Sequence, residues 1–186
     1  MLSLRLTAPI LLLESPPGVG KTTVARGLVG LLLAPGVPVG GFTTGEVRQA
    51  GRSASWVRGR GGRRSSAVIA HVEWASGPRV GRYRVDVGAF EAVALPALQR
   101  ACALGGVVVI DELGRMELAS AAFVTAVRDV LDLDVAVVAT VHEADHPVTD
   151  ALKQRADVAR YVVTRESSEA LPRLLRARLV PDRLGP

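Results

Sequence analysis

Cysteine occurs once in this chain, lysine twice and histidine three times, and aromatic side chains make up 4% of its 186 residues. A lone Cys102 excludes an internal disulfide and a cysteine-built metal cluster; it suits a reducing compartment and reads as a small core residue. So few aromatics leave few surfaces on which bases could stack, which disfavours a single-strand nucleic-acid binder, and Trp56 and Trp74 read as packing residues. No secretory signal or membrane span is evident. The first apolar run is broken by Arg5 and Pro9 and stops at Glu14. A cytoplasmic monomer with no membrane partner is the expectation. A hydrophobic content of 48% argues against disorder, and the length suits one domain across residues 1–186.

What the chain has is arginine. Basic residues number 23 against 18 acidic ones, a net charge of +5 that favours anionic partners without choosing among nucleotides, nucleic acid and lipid headgroups. Against that background a lysine stands out, and Lys21 lies within the stretch Pro17, Gly18, Val19, Gly20, Lys21, Thr22, Thr23. An apolar run, residues 10–13, leads into it and helix-compatible sequence follows. Glycines at 18 and 20 allow successive N–H groups to point into one concavity, and the positive end of the next helix adds to the attraction for anions. Proline has no N–H to give, so the donors are expected from Gly18 to Thr22. Lys21 is placed for terminal phosphates, and Thr22 for a magnesium ion. Ser15 stands where G-x-x-x-x-G-K-[ST] begins with glycine.

Val24, Ala25, Leu28, Val29 and Leu32 recur at helical spacing after the loop. A strand is expected at 37–44, then a hairpin turning near Ala50 and Gly51 and returning through Trp56, with Thr44, Glu46 and Arg48 on one face. Residues 58–64 hold four arginines and three glycines and read as a mobile loop, either a phosphate lid, a nucleic-acid contact or plain solvated chain. Strands are expected at 67–72 and 80–87. A helical stripe through Phe90 and Leu98 follows, which Pro96 should kink or split into two short helices.

Val107 to Ile110 form a continuous apolar run of the kind buried in a parallel sheet, and it ends in Asp111 and Glu112. Ligands of open α/β sheets bind beyond the carboxyl ends of the strands, so both acids should emerge beside the loop. Asp111 is the candidate metal ligand and Glu112 the residue to orient or deprotonate an attacking water. Further on, a helix is expected at 120–131, strands at 135–141 and 159–164, and a closing helix starting near Ser168 so that Pro172 falls in its first turn. His142, Glu143 and His146 match H-E-x-x-H, but the segment follows a strand and Pro147 comes next, so a helical zinc site is rejected. The alternation of strands and helices predicts a mainly parallel sheet with helices on both faces, extended by antiparallel strands within 44–87.

The stretches at 16–23, 41–48, 81–98 and 107–118, read together, resemble the cancer-related nucleoside-triphosphatase family, over about 10–175. The resemblance implies a RecA-like P-loop fold and magnesium-dependent hydrolysis of several nucleoside triphosphates to diphosphates, with weak discrimination among bases. It carries the family's loop lysine and threonine onto Lys21 and Thr22, its acids onto Asp111 and Glu112, and its G-[KR]-M-E segment onto Gly114 to Glu117. Arg115 takes the usual lysine position there, with a charge-stabilising role expected. Gly45 replaces an acidic residue, and Ser167 and Ser168 replace an Asn-Arg pair. The expected activity is therefore a slow, base-tolerant triphosphatase. A kinase on the same scaffold and a non-catalytic, nucleotide-gated RNA-binding module are its alternatives.

Overall fold

The computed structural model describes residues 8–49, 52–60, 65–142 and 145–180. Strand β1 (Ile10–Glu14) is buried along its whole length, as an uninterrupted apolar run requires. It feeds the Gly-rich turn and helix α1 (Lys21–Leu33). Strand β2 (Val39–Gln49) then starts the extension, which continues through β3 (Arg52–Arg60), β4 (Ser66–His71), β5 (Arg79–Val80) and β6 (Tyr83–Val85). Helix α2 (Val87–Ala103) leads to β7 (Val107–Leu113), and α3 (Ala121–Leu131) leads to β8 (Ala136–Val141). The chain closes through α4 (Pro147–Lys153), β9 (Val158–Val162) and α5 (Leu171–Leu179).

Among the described residues one sheet runs in the order β5-β6-β4-β3-β2-β7-β8-β1-β9. The pairs β2 with β7, β7 with β8, β8 with β1 and β1 with β9 are parallel, whereas β3, β4, β6 and β5 add on antiparallel. Alternation along the parallel strands builds two cores. Val108, Ile110, Val137 and Ala139 face α2 and α3, while Leu11, Leu13, Val107 and Val109 face α1 and α5. Helices therefore cover both faces, as the pattern of elements predicts. All three phenylalanines of the chain meet in the first core: Phe42, Phe90 and Phe123 stand edge to face at 5.0–5.7 Å. Such pairs contribute about 0.5–1.5 kcal/mol each beyond the area they bury.

Glycine is required where β2 crosses this core. At Gly41 (φ 101°) a Cβ would meet the Val109 carbonyl oxygen at 2.0 Å. The close approach lets β2 lie against β7.

Four expectations need correction. Arg58, Gly59 and Arg60 belong to β3, because pairing on both edges, with β2 and β4, outweighs their loop-like composition; residues 61–64 lie outside the described residues, as does the hairpin turn at Ala50 and Gly51. The strand expected at 80–87 is cut into β5 and β6 by a turn at Gly81 and Arg82, with Gly81 at φ 57°. Pro96 sits inside one continuous helix; the carbonyl it deprives of a partner belongs to Ala92, which is exposed and open to water. The closing helix begins at Leu171, with turns from Arg165 to Ala170 before it. No helix among the described residues is long and apolar enough to cross a membrane.

Candidate functional site

The loop joins the carboxyl end of β1 to the amino end of α1. Gly18 (φ 76°) and Gly20 (φ 122°) take the left-handed angles that fold it into a nest. Lys21 is buried, and its ammonium donates to the Ser15 carbonyl at 2.6 Å and the Pro16 carbonyl at 3.2 Å. A main-chain oxygen is what Lys21 uses at position 15, and any residue supplies one. The Ser15 side chain is small enough for full burial and donates its hydroxyl to the Pro16 carbonyl.

Thr22 Oγ1 donates to Asp111 Oδ1 at 3.1 Å, and Thr140 Oγ1, from β8, donates to the same oxygen at 2.8 Å. Asp111 is fully buried, and its Oδ2 has no hydrogen-bond partner among the described residues. Burial pushes its carboxyl above the ordinary range; the bonds from Thr140 and Thr22 oppose that rise, and the charge of Glu112 adds to it.

Pro17, Gly18 and Thr22 form one wall of a cavity of about 690 Å³. Its lining also includes Thr44 and Glu46 of β2, Glu112 at the end of β7, Arg115 and Glu117 just after it, His142 after β8 and His146 at the start of α4. The structure thus brings Pro17, Gly18, Thr22, Glu112 and Arg115 to one space. Val19, Gly20, Lys21 and Asp111 flank it without lining it, and Thr23 lies exposed on α1. Arg48, expected beside Glu46, has a side chain outside the described ones. His142 pairs with Glu112, and the His146 ring accepts from the Val148 N–H at the start of α4, so these histidines serve separate ends. Glu143, between them, lies outside the described residues.

Glu117 adds a group that sequence reading placed in a motif but gave no role. It occupies a 3₁₀ turn after β7, is buried, and accepts from the Gly114 N–H at 3.2 Å. Burial lifts its carboxyl to about 8, with further upward pushes from Glu112 and Asp111. At neutral pH Glu117 keeps its proton, so the cavity is less negative than its three glutamates suggest. The folded form holds that proton between about 4.5 and about 8 while the unfolded chain has released it. This group's stabilising contribution is full below about 4.5 and is lost as pH rises through about 8. Urea titrations of Glu117→Gln should therefore lack a parental fall of about 1.4 kcal/mol per pH unit across that window.

Three arginines gather on the α1 side of the sheet. Arg58 and Arg26 lie 5.1 and 6.0 Å from the Trp56 ring centroid. Arg60 Nε is buried with no partner among the described residues, and burial together with Arg26 pushes its pKa down while Asp111 pulls it up. Thr43 of β2 is paired with Asp111 on one side and Arg58 on the other, so β3 brings this positive cluster to the flank of the buried acid. Arg63 and Arg64 lie outside the described residues. Trp56 also accounts for Gly45, where a Cβ would meet the indole at 2.9 Å, leaving no room for an acidic side chain. At the other rim, Ser168 faces the loop at Gly20, and Ser167 is occupied in mutual bonds with Thr164.

A nest between a buried parallel strand and its helix, with a threonine at the helix start joined to an acid on β7, one strand beyond β8 in the same parallel sheet, defines a P-loop NTPase fold. The comparisons narrow this class. Residues 10–175 match the family described as NTPase, and the chain belongs to that family. It is 41% identical over 168 residues to the nucleoside-triphosphatase THEP1 of Thermofilum pendens, covering 87% of this chain and 90% of that protein. It is 37% identical over 182 residues to the human cancer-related nucleoside-triphosphatase, with 91% and 92% covered. The crystal structure of THEP1 from Aquifex aeolicus superposes with a TM-score of 0.80 at 29% identity, over 92% of this chain and 98% of that one.

Proposed function

We propose that this protein hydrolyses nucleoside triphosphates to diphosphate and phosphate, with little regard for the base. One observation carries the reading: a buried carboxylate tied to the loop threonine stands next in sequence to a carboxylate that lines the cavity beyond the loop. Family membership supports it, since relatives on both sides of 35% identity bear the name nucleoside-triphosphatase.

The loop N–H groups from Gly18 to Thr22 and the Lys21 ammonium would hold the terminal phosphates. Thr22 and Asp111 fit a magnesium ion, for both offer hard oxygen donors and Asp111 Oδ2 is buried with no hydrogen-bond partner among the described residues. When bound, magnesium supplies positive charge against the phosphate oxygens. Glu112 orients a water for in-line attack on the terminal phosphorus and takes its proton as the new P–O bond forms and the bond to the leaving diphosphate oxygen breaks. Arg115 at the cavity rim and the Arg26, Arg58 and Arg60 cluster are the sources of cationic side chains for the charge that spreads over the transferred group.

The experiment is a phosphate-release panel over the common nucleoside triphosphates with magnesium, with and without hydroxylated acceptors. Release with water alone, within about tenfold across bases, is expected. Nucleotide consumption that depends on an acceptor would overturn the reading in favour of a kinase.

A further inference from the structure

The sheet does not hold Glu112. The ladder between β7 and β8 slips after Ile110, which pairs with Ala139, and resumes only at Leu113 with Val141; on its other side β2 is in register with β7 only as far as Asp111. A group that must aim a water within a fraction of an ångström therefore needs support from side chains. That support is present. The Glu112 carboxylate meets Nε2 of His142, the first residue after β8. The His142 carbonyl in turn accepts from Lys153 Nζ at 3.3 Å. Lys153 ends α4, is almost wholly buried, and pairs at 2.9 Å with Glu14, the last residue of β1. Glu14 also receives Arg160 at 2.6 Å. Burial pushes the Glu14 carboxyl up, but the hydrogen bonds from Arg160 and Lys153 outweigh it and leave the group ionised below the ordinary range.

We propose that Lys153 and His142 are positioning residues that lock Glu112 to the end of the loop strand. Glu14 immediately precedes Ser15, whose carbonyl holds Lys21, so the phosphate-binding lysine and the water-directing glutamate share one frame. The choice of lysine at 153 fits this role. In a chain whose only other lysine is Lys21, a compact ammonium sends separate donors to the Glu14 carboxylate and the His142 carbonyl, with Asp150 a further 3.9 Å neighbour; a planar guanidinium has the wrong shape.

The inference rests on the role given to Glu112, and the test separates the two. Steady-state phosphate release is measured for His142→Ala, His142→Gln, Glu112→Gln and the Glu112→Gln/His142→Ala double variant. His142→Ala should lower kcat about 10- to 100-fold with KM within about twofold. Glutamine, which can place an N–H near the site of Nε2, should restore most of the loss. The alanine should cost nothing further once Glu112 is glutamine, the mark of two residues acting as one. Lys153→Arg, with its thermal midpoint checked, should keep the fold and lose a similar factor. Parental kcat in His142→Ala, multiplicative losses in the double variant, or glutamine no better than alanine overturns the proposal. Parental kcat in Lys153→Arg removes Lys153 from it. Full activity in Glu112→Gln would remove the reading of Glu112 itself, and this inference with it.

Discussion

Glu112→Gln is expected to lower phosphate release about 10²- to 10⁴-fold at saturating nucleotide, the range that a positioned proton acceptor contributes. Glutamine keeps the length and shape of the side chain and can still hydrogen-bond His142, so the cavity wall should stand. What it loses is the ability to take a proton. If, as proposed, Glu112 acts on the water and the loop amides hold the phosphates, calorimetric titration with a non-hydrolysable triphosphate should give a Kd within about twofold of the parent. A loss confined to kcat is the signature of an interaction made in the transition state. Unchanged phosphate release would sink the assignment.

Lys21→Ala should fail differently. The buried ammonium lies among main-chain oxygens, where a charge is weakly screened and its effect on phosphate correspondingly large. Removing it should cut kcat/KM about 10²- to 10³-fold, comparable to losing a preorganised donor in a transition-state site, and should weaken nucleotide binding as well. Lys21→Arg should not rescue it, because a longer planar fork does not fit between the Ser15 and Pro16 carbonyls. Measured side by side, the two variants separate holding from chemistry: one loses turnover with binding intact, the other loses both. A Lys21→Ala protein with parental kcat/KM would remove the loop from the site.

The parts of this site that are legible in sequence are those whose physics is local. A glycine turn after an apolar run, a lysine and a threonine at a helix start, and two acids at the end of a buried strand each state their role within a few residues. His142, Lys153 and Glu117 do not. His142 and Lys153 depend on partners brought from other elements and Glu117 on burial that only the fold supplies, and the only local hint is that Lys153 is a lysine at all. Composition misled at 58–60, where glycine and arginine suggest a loop but strand pairing prevails, and at 80–87, where alternation hides a glycine turn. Helix α4 escaped notice because seven residues carry too little periodicity to register. Gly45 and Ser15 looked like departures from a pattern. Each has a packing reason that only the fold supplies, a tryptophan lying over the first and a carbonyl doing the work of the second.

The position of β1 has a consequence for how the protein comes to exist. Its partners are β8, with Ile10 beside Val137, and β9, with Ile10 beside Val158. The antiparallel strands can pair with near neighbours as soon as they leave the ribosome. The strand that carries the phosphate loop must wait, its apolar residues uncovered, until most of the chain has been synthesised. Closing so long a loop is slow and leaves hydrophobic surface open to wrong partners meanwhile. The loop strand is thus made before either strand that pairs with it, and the nucleotide site is complete only once β8 has joined it.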